Sequence, residues 1–405
     1  MSKQVVIVAP GLKDGQGHEL GYTAAVAKAF QKRGYAVKVL CAQNPHPMVS
    51  SLEGFVPTFR RTDREPGRFG PPWEFFRLSL MLLKDLQRVA RSQYVKEADI
   101  VFAHTITYPA FASWVWAWIM YSKLMPKTVL MFRYSLQLDH PSRFRPLRRT
   151  MLPLVYRLLF WLLERPPSKP RLVVDSVDLQ QEYHRYTRLP IAVVPIPLDM
   201  KTTANDSGGG NGAPSLGPAI VLLYLGDVRR GKGFDLLAPL AESFSSSSFA
   251  HARMVVHCGR VQERYDEPGI ADAFERLKKL ESTGKVRLIN GHISDNEYRE
   301  LLKQTDIVLL PYRREFYMGQ TSNVLVEAFV MGKPVVAPAG TWLASQVEQT
   351  GAGTVFQSGD DKSFAQAVRE AVDHLPQYTA AARAAKDEWA SYHTARRLIE
   401  ELEAV

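Results

Sequence analysis

Apolar residues in this chain fall into short unbroken runs, separated by stretches in which they recur every three or four positions. A run bounded by turn residues reads as a strand buried on both faces; the wider spacing reads as a helix with one apolar side. In the first half the runs lie at 5–9, 36–41, 100–103, 128–132, 172–175 and 191–194. A helix is expected over 19–33, with Ala24, Ala27 and Phe30 on one side and Gly34 ending it. Residues 57–72 read as a basic loop rich in Pro and Gly. The segment 199–218 carries four glycines between Gly208 and Gly212 and reads as a flexible tether. The strand pattern then restarts at 220–225, 253–258, 286–290, 306–310, 334–337 and 353–356, and the tail from 365 has helical composition. Alternating strands and helices predict an α/β chain of two Rossmann-like, doubly wound parallel-sheet domains. The expected division is 1–198, a linker over 199–218, 219–385, and a helix over 386–405 that packs back on the first domain. Ligands in such sheets bind beyond the carboxyl ends of the strands, so the expected site is the cleft between the domains.

Charge divides the two halves. Residues 1–200 hold 28 basic and 15 acidic side chains, against 23 and 26 in the rest of the 405. An anionic partner is therefore expected at the first half. Three segments are strongly apolar, at 73–91, 110–122 and 151–163, and none reaches the roughly 18–20 residues of a spanning helix. The first two read as core helices. The third is flanked by Arg143, Arg145, Arg148, Arg149, Arg165, Lys169 and Arg171, which suits a helix lying among lipid headgroups as well as one packed on a sheet. Residues 143–171 are thus the expected contact with an anionic membrane. The N-terminus runs straight into a strand with no signal-peptide pattern, and Cys41 and Cys258 are too few and too distant for a disulfide framework. Both point to a cytoplasmic protein, which the basic segment 143–171 would hold on the inner face of the plasma membrane.

Two motifs carry chemistry. The first is Leu225-Gly226-Asp227-Val228-Arg229-Arg230-Gly231-Lys232-Gly233, between a strand and an expected helix. Gly226 permits a sharp turn, Gly231 and Gly233 permit close approach of backbone, and Arg229, Arg230 and Lys232 place positive charge where a helix start already favours anions. The guest is a diphosphate, or the motif is an ordinary strand–helix turn with solvated cations. The second is the loop Gly319-Gln320-Thr321-Ser322-Asn323, leading into a helix that bears Glu327. Its free backbone N–H groups and hydroxyls suit phosphate, and a carboxylate one turn on can accept both hydrogen bonds of a ribose diol. Ser322 as a plain cap and Glu327 as a helix stabiliser fit the same residues.

These motifs, with Asn290-Gly291-His292-Ile293-Ser294, Thr305-Asp306-Ile307-Val308-Leu309-Leu310-Pro311 and Gly332-Lys333-Pro334-Val335-Val336, resemble the nucleotide-sugar domain of glycosyltransferase family 4, of GT-B architecture. The resemblance covers residues 219–358; the first half shares only the layout. It implies retaining transfer of a hexose-type sugar from a UDP- or GDP-sugar to a glycan or lipid-linked acceptor, in cell-surface polysaccharide or glycolipid synthesis of bacterial type. It further implies that Arg229 and Lys232 hold the diphosphate and stabilise the leaving group, with Thr321, Ser322 and Asn323 beside them. Glu327 is implied to hold the ribose and Ile293 to lie against the base. In the first half it implies that Gly15 and Gly17 approach the donor diphosphate and that His104, at a strand end, is catalytic near the transferred sugar; by position, His18 in the turn after the first strand and Arg133 at a strand end are candidates for the acceptor side. Two positions depart from the family. Gly319 stands where a sugar-contacting glutamate is common, with Glu315 the nearest replacement, and Asp227 stands where an arginine usually follows the turn glycine.

Transfer places negative charge on the departing diphosphate, which preorganised cations stabilise. The sequence contains no Asp-x-Asp, so Arg229 and Lys232 are expected to supply that charge without a metal or other cofactor. Two alternatives stay open: an epimerase on the same frame, and a binding protein that kept the fold without turnover, which Gly319 favours. A nucleic-acid partner is not expected, because no recognition module accompanies the basic charge.

Overall fold

The computed structural model describes residues 3–13, 18–60, 72–136, 145–198, 219–245, 249 and 251–404. The expected tether at 199–218, most of the basic loop, and Gly15 and Gly17 lie outside the described residues. The chain divides into two compact units: Met1–Asp199 with His393–Val405, and Met200–Tyr392.

In the first unit the described strands are β1 (Gln4–Val8), β2 (Ala36–Ala42), β3 (Phe55–Phe59), β4 (Ile100–Ala103), β5 (Lys127–Phe132), β6 (Arg171–Val174) and β7 (Ile191–Val193). They form one sheet in the order β3-β2-β1-β4-β5-β6-β7, every pairing parallel. Alternate residues of β1 enter opposite cores. Val5 and Ile7 meet Tyr22, Val26 and Phe30 of the helix His18–Lys32. Val6 and Val8 face the side covered by the helices Pro72–Arg91, Tyr108–Tyr121 and Arg145–Leu163. An apolar run such as Val5-Val6-Ile7-Val8 is what a strand covered on both faces requires.

The sequence reading misses β3. Pro57 lies within it and lacks the N–H of an interior ladder, so the segment read as loop; the structure places it at the sheet edge, where proline is tolerated. The C-terminal helix Ala395–Ala404 belongs to the first unit. Leu398, Ile399 and Leu402 are buried there, the Tyr35 hydroxyl donates to Glu403 Oε1 at 3.0 Å, and Lys127 Nζ donates to the Glu403 carbonyl at 2.6 Å. The chain rejoins that unit at His393. Trp389 still packs in the second unit, its ring 4.8 Å from Phe329.

The second unit's described strands are β8 (Ile220–Tyr224), β9 (Ala252–Gly259), β10 (Val286–Asn290), β11 (Ile307–Leu309), β12 (Val335–Pro338) and β13 (Gly353–Phe356). Their order is β10-β9-β8-β11-β12-β13, again all parallel. The chain order reverses at β8, which lies between β9 and β11. A crevice therefore opens beyond the carboxyl end of β8, flanked by the loops after β8 and β11.

Candidate functional site

Both chemical motifs of the second unit leave the sheet at that reversal. The segment after β8 turns at Gly226, with φ of +144°, and continues as a single 3-10 turn, Arg230–Lys232. The helix expected over 234–244 is α-helical only in its middle. A second 3-10 turn, Phe234–Leu236, comes first, and the α-helix is the short Leu237–Glu242. Lys232 and Arg229 are therefore held by the turn, not by a helix start. Gly233 makes the turn possible. Its φ is +67°, and a Cβ there would lie 1.7 Å from the Pro311 carbonyl oxygen. Arg313 N–H donates to the Gly231 carbonyl at 3.0 Å, and an Arg313–Asp235 ion pair ties the two loops again.

Lys232 is buried, its ammonium 5.4 Å from the Tyr312 ring centroid and against the Gly226 backbone. Burial and the neighbouring Arg229 charge push its pKa down to about 8, while Asp227 and Glu327 partly oppose the shift. Arg229 donates from Nη2 to the Tyr317 hydroxyl at 3.0 Å. Its Nε is buried and has no hydrogen-bond acceptor among the described residues. Burial disfavours its charge, but Tyr317, Asp227 and Tyr312 outweigh that and raise its pKa. Two adjacent cations, one with an unused donor and one held near its titration point, form a site deficient in negative charge.

Glu327 lies on the helix Asn323–Val330, within reach of the same charges. Burial raises its pKa to about 7, against the opposing pull of the Tyr298 hydroxyl, which donates to its Oε2, and of Lys232. Ser322 caps the helix, with Oγ accepting from Leu325 N–H at 3.4 Å. Its hydroxyl is thus engaged by the helix. Thr321 and Asn323 flank it at the same helix start. Ile293 is partly exposed in the loop between β10 and the helix Asp295–Gln304, the helix that carries Tyr298. Through the Tyr298–Glu327 bond the structure brings this segment to the Glu327 side of the cluster. Gly319 is buried, and Glu315 lies in the short helix Arg314–Tyr317.

The first unit gathers a second polar group at the carboxyl ends of β4, β5 and β6. His104 is buried, with Nε2 3.2 Å from Thr23 Oγ1 and Nδ1 3.0 Å from Thr105 Oγ1. The Thr23 hydroxyl donates to the Glu19 carbonyl and the Thr105 hydroxyl to the His104 carbonyl. Both ring nitrogens are engaged within this unit. Arg133 donates from Nε to Asp175 Oδ2 at 3.0 Å, and its guanidinium stands 4.8 Å from the centroid of the Tyr22 ring. Tyr22 also lies 5.3 Å from the His104 ring, so it joins the two sequence-predicted residues. His18 opens the helix His18–Lys32; its side chain lies outside what is described.

Sequence reasoning did not single out Tyr22, Thr23, Asp175, Tyr298, Tyr312 or Tyr317. Asp175 had a usable signal, being a carboxylate at a strand end in the same position as His104 and Arg133. The tyrosines had none, because they reach the site from neighbouring elements.

Two doubly wound parallel sheets, one with a cation-bearing turn at its chain reversal, define a GT-B protein. Residues 21–201 match Glycosyltransferase Family 4 and residues 219–374 match Glycosyl transferases group 1. The chain belongs to this family of glycosyltransferases. Among solved structures, sucrose-phosphate synthase from Thermosynechococcus elongatus aligns with a TM-score of 0.69 at 13% identity, over 99% of this chain and 98% of that one. HepE of Anabaena, solved in complex with UDP, aligns with a TM-score of 0.66 at 16% identity, over 99% and 100%. WaaG, a glycosyltransferase involved in lipopolysaccharide biosynthesis, gives 0.60 at 16% identity, over 99% of each chain. No curated protein matches the chain in sequence.

Proposed function

We propose that the protein transfers a hexose-type sugar, with retention, from a UDP- or GDP-sugar to a glycan or lipid-linked acceptor in cell-surface polysaccharide or glycolipid synthesis. The pairing of buried Lys232 with the unsaturated guanidinium of Arg229 at the turn after β8 carries this reading. The diphosphate sits on these two groups and on the amides of Thr321, Ser322 and Asn323. As the bond from the sugar carbon to the diphosphate oxygen breaks, the electron pair stays on that oxygen, beside both cations. Catalysis then uses no metal. Glu327, oriented by Tyr298, accepts from the ribose hydroxyls, and Ile293 lies against the base. A UDP donor is favoured by the complexes of HepE with UDP and UDP-glucose.

The first unit takes the acceptor, with Arg133 as its cationic contact. His104, oriented by Thr23 and Thr105, is the catalytic residue of this unit, near the transferred sugar. His18 serves the acceptor. The basic charge of this half suits an acceptor at an anionic membrane, met through residues 143–171.

A thermal-shift screen of UDP, GDP, ADP and their sugars tests the donor assignment. A true donor stabilises by RT ln(1 + [L]/Kd), about 2.7 kcal/mol at 100 times Kd. Product analysis with and without acceptor then separates transfer from epimerisation. Binding without any product would support the binding-protein alternative and overturn the enzymatic reading of the site.

A further inference from the structure

The helices 72–91 and 108–121, expected in sequence to be ordinary core elements, are only half so. The helix Pro72–Arg91 packs against Tyr108–Tyr121, and the latter against Arg145–Leu163. Their inner faces are buried: Leu82, Leu86 and Val89 on the first, Phe111, Trp114 and Trp118 on the second, Tyr156, Leu159 and Phe160 on the third. Their outer faces are apolar too. Leu80 is 60% exposed, Trp116 49% and Leu158 55%. Exposed beside them, at helical spacing, are Phe76 on the first helix, Ile119 and Met120 on the second, and Met151, Leu154 and Trp161 on the third. An apolar surface carried by three adjacent helices is a docking face, not scattered exposure.

Charge identifies the occupant. Residues 72–91, 108–124 and 145–171 hold twelve basic side chains and three acidic ones. One of the three, Asp85, is buried and paired with Arg88. Exposed Arg77, Lys84, Arg91, Lys123, Arg157 and Arg165 accompany the apolar residues, and the Arg165 guanidinium stacks 3.9 Å from the Trp161 ring centroid. A second copy of the chain would set this cationic surface against itself. An anionic bilayer complements it: apolar side chains enter the acyl boundary while arginines meet phosphate headgroups. No described helix is long and apolar enough to cross a membrane, so the face lies on the bilayer.

We infer that these three helices together form a monotopic docking surface for an anionic lipid bilayer, wider than the arginine-flanked segment 143–171. This inference stands on the first unit alone and is independent of the donor chemistry.

Flotation with vesicles of phosphatidylglycerol and phosphatidylcholine tests it, against vesicles of phosphatidylcholine only. The full chain is expected to float with the anionic vesicles at low salt and to stay behind with the neutral ones. Leu80→Ser, Trp116→Ser and Leu158→Ser, one on each helix, should each lower the partition coefficient roughly tenfold. Exposed positions leave the fold intact, which circular dichroism checks. Brominated lipid should also quench tryptophan fluorescence, less so in Trp116→Ser. Loss confined to Leu158→Ser, or flotation of all three variants undiminished from that of the parent chain, would overturn the three-helix surface. Sedimentation as a dimer that these substitutions dissociate would overturn it in favour of a second copy. UDP-induced thermal shifts are expected to be unchanged in all three, so a failure here is distinguishable from a failure of the donor assignment.

Discussion

Lys232 should cost the ligand-free protein stability, and its removal should reveal that. Its pKa falls from 10.5 to about 8. A shift of that size disfavours the charged form by about 3 kcal/mol. The sign follows from proton counting. Between pH about 8 and 10.5 the unfolded chain keeps this proton and the native chain has lost it, so stability rises with pH across that window. At pH 7 the lysine is charged in both states and the penalty is present in full. Lys232→Met removes the buried charge and keeps most of the volume. It should therefore stabilise the free protein at pH 7 by about 1–3 kcal/mol, and the gain should vanish near pH 10.5.

Urea unfolding at pH 7 and at pH 10, with and without UDP, measures both halves of this argument. The relevant transition is the one that UDP moves in the unsubstituted protein. In Lys232→Met that transition should start higher at pH 7 and no longer respond to UDP. Turnover should fall with it. A variant less stable than the parent at pH 7, with its UDP shift intact, would refute the assignment of Lys232 as an anion site held at the expense of the free fold.

Four further outcomes follow from the same geometry. Glu327→Gln should stabilise the free protein above pH about 7, with the gain gone below pH 4.5, and should weaken UDP binding; denaturation against pH and UDP titration check both. UDP affinity itself should be greatest between pH about 7 and about 8, falling below as Glu327 takes up a proton and above as Lys232 loses one; calorimetry across pH reads this directly. Gly233→Ala should destabilise by roughly 3 kcal/mol or more, because the added Cβ meets backbone at a positive φ, and the thermal midpoint reports it. Exhaustive chelation should leave turnover unchanged, since Arg229 and Lys232 carry the leaving-group charge; activity restored only by added divalent ion would overturn that.

The strands were largely legible because parallel strands buried on both faces leave unbroken apolar runs. Ile100–Ala103, Val286–Asn290 and Gly353–Phe356 agree with the expected spans, and the other expected strands differ by one residue at one or both ends. What escaped was structure whose local sequence argues against it. Phe55–Phe59 contains Pro57 and forms only because an edge strand has one free side. The turn after β8 was legible as glycines and cations, but the need for glycine at 233 comes from Pro311, whose backbone leaves no room for a Cβ and reaches the turn from a distant loop. The apolar outer faces of 72–91 and 108–121 were hidden for a related reason. An all-round apolar helix looks the same in sequence whether protein or lipid covers its second side.

The partners that tune the site were invisible for a deeper reason. Sequence offered Arg229, Lys232 and Glu327 as types suited to diphosphate and ribose, but their ionisation depends on neighbours brought in from elsewhere. Tyr317 holds Arg229, Tyr312 stacks beneath Lys232, and Tyr298 holds Glu327. A tyrosine hydroxyl orients a charged group without neutralising it, whereas a carboxylate partner would close an ion pair and lower the affinity for phosphate. The cations consequently keep unspent charge for a diphosphate, and Glu327 keeps a lone-pair face for a diol. The same choice leaves Lys232 and Glu327 with pKa values displaced towards each other, at about 8 and about 7. An empty site of this kind is electrostatically costly to the fold, and an anionic ligand relieves the cost on binding, which is why stability and UDP response should move in opposite directions when Lys232 is removed.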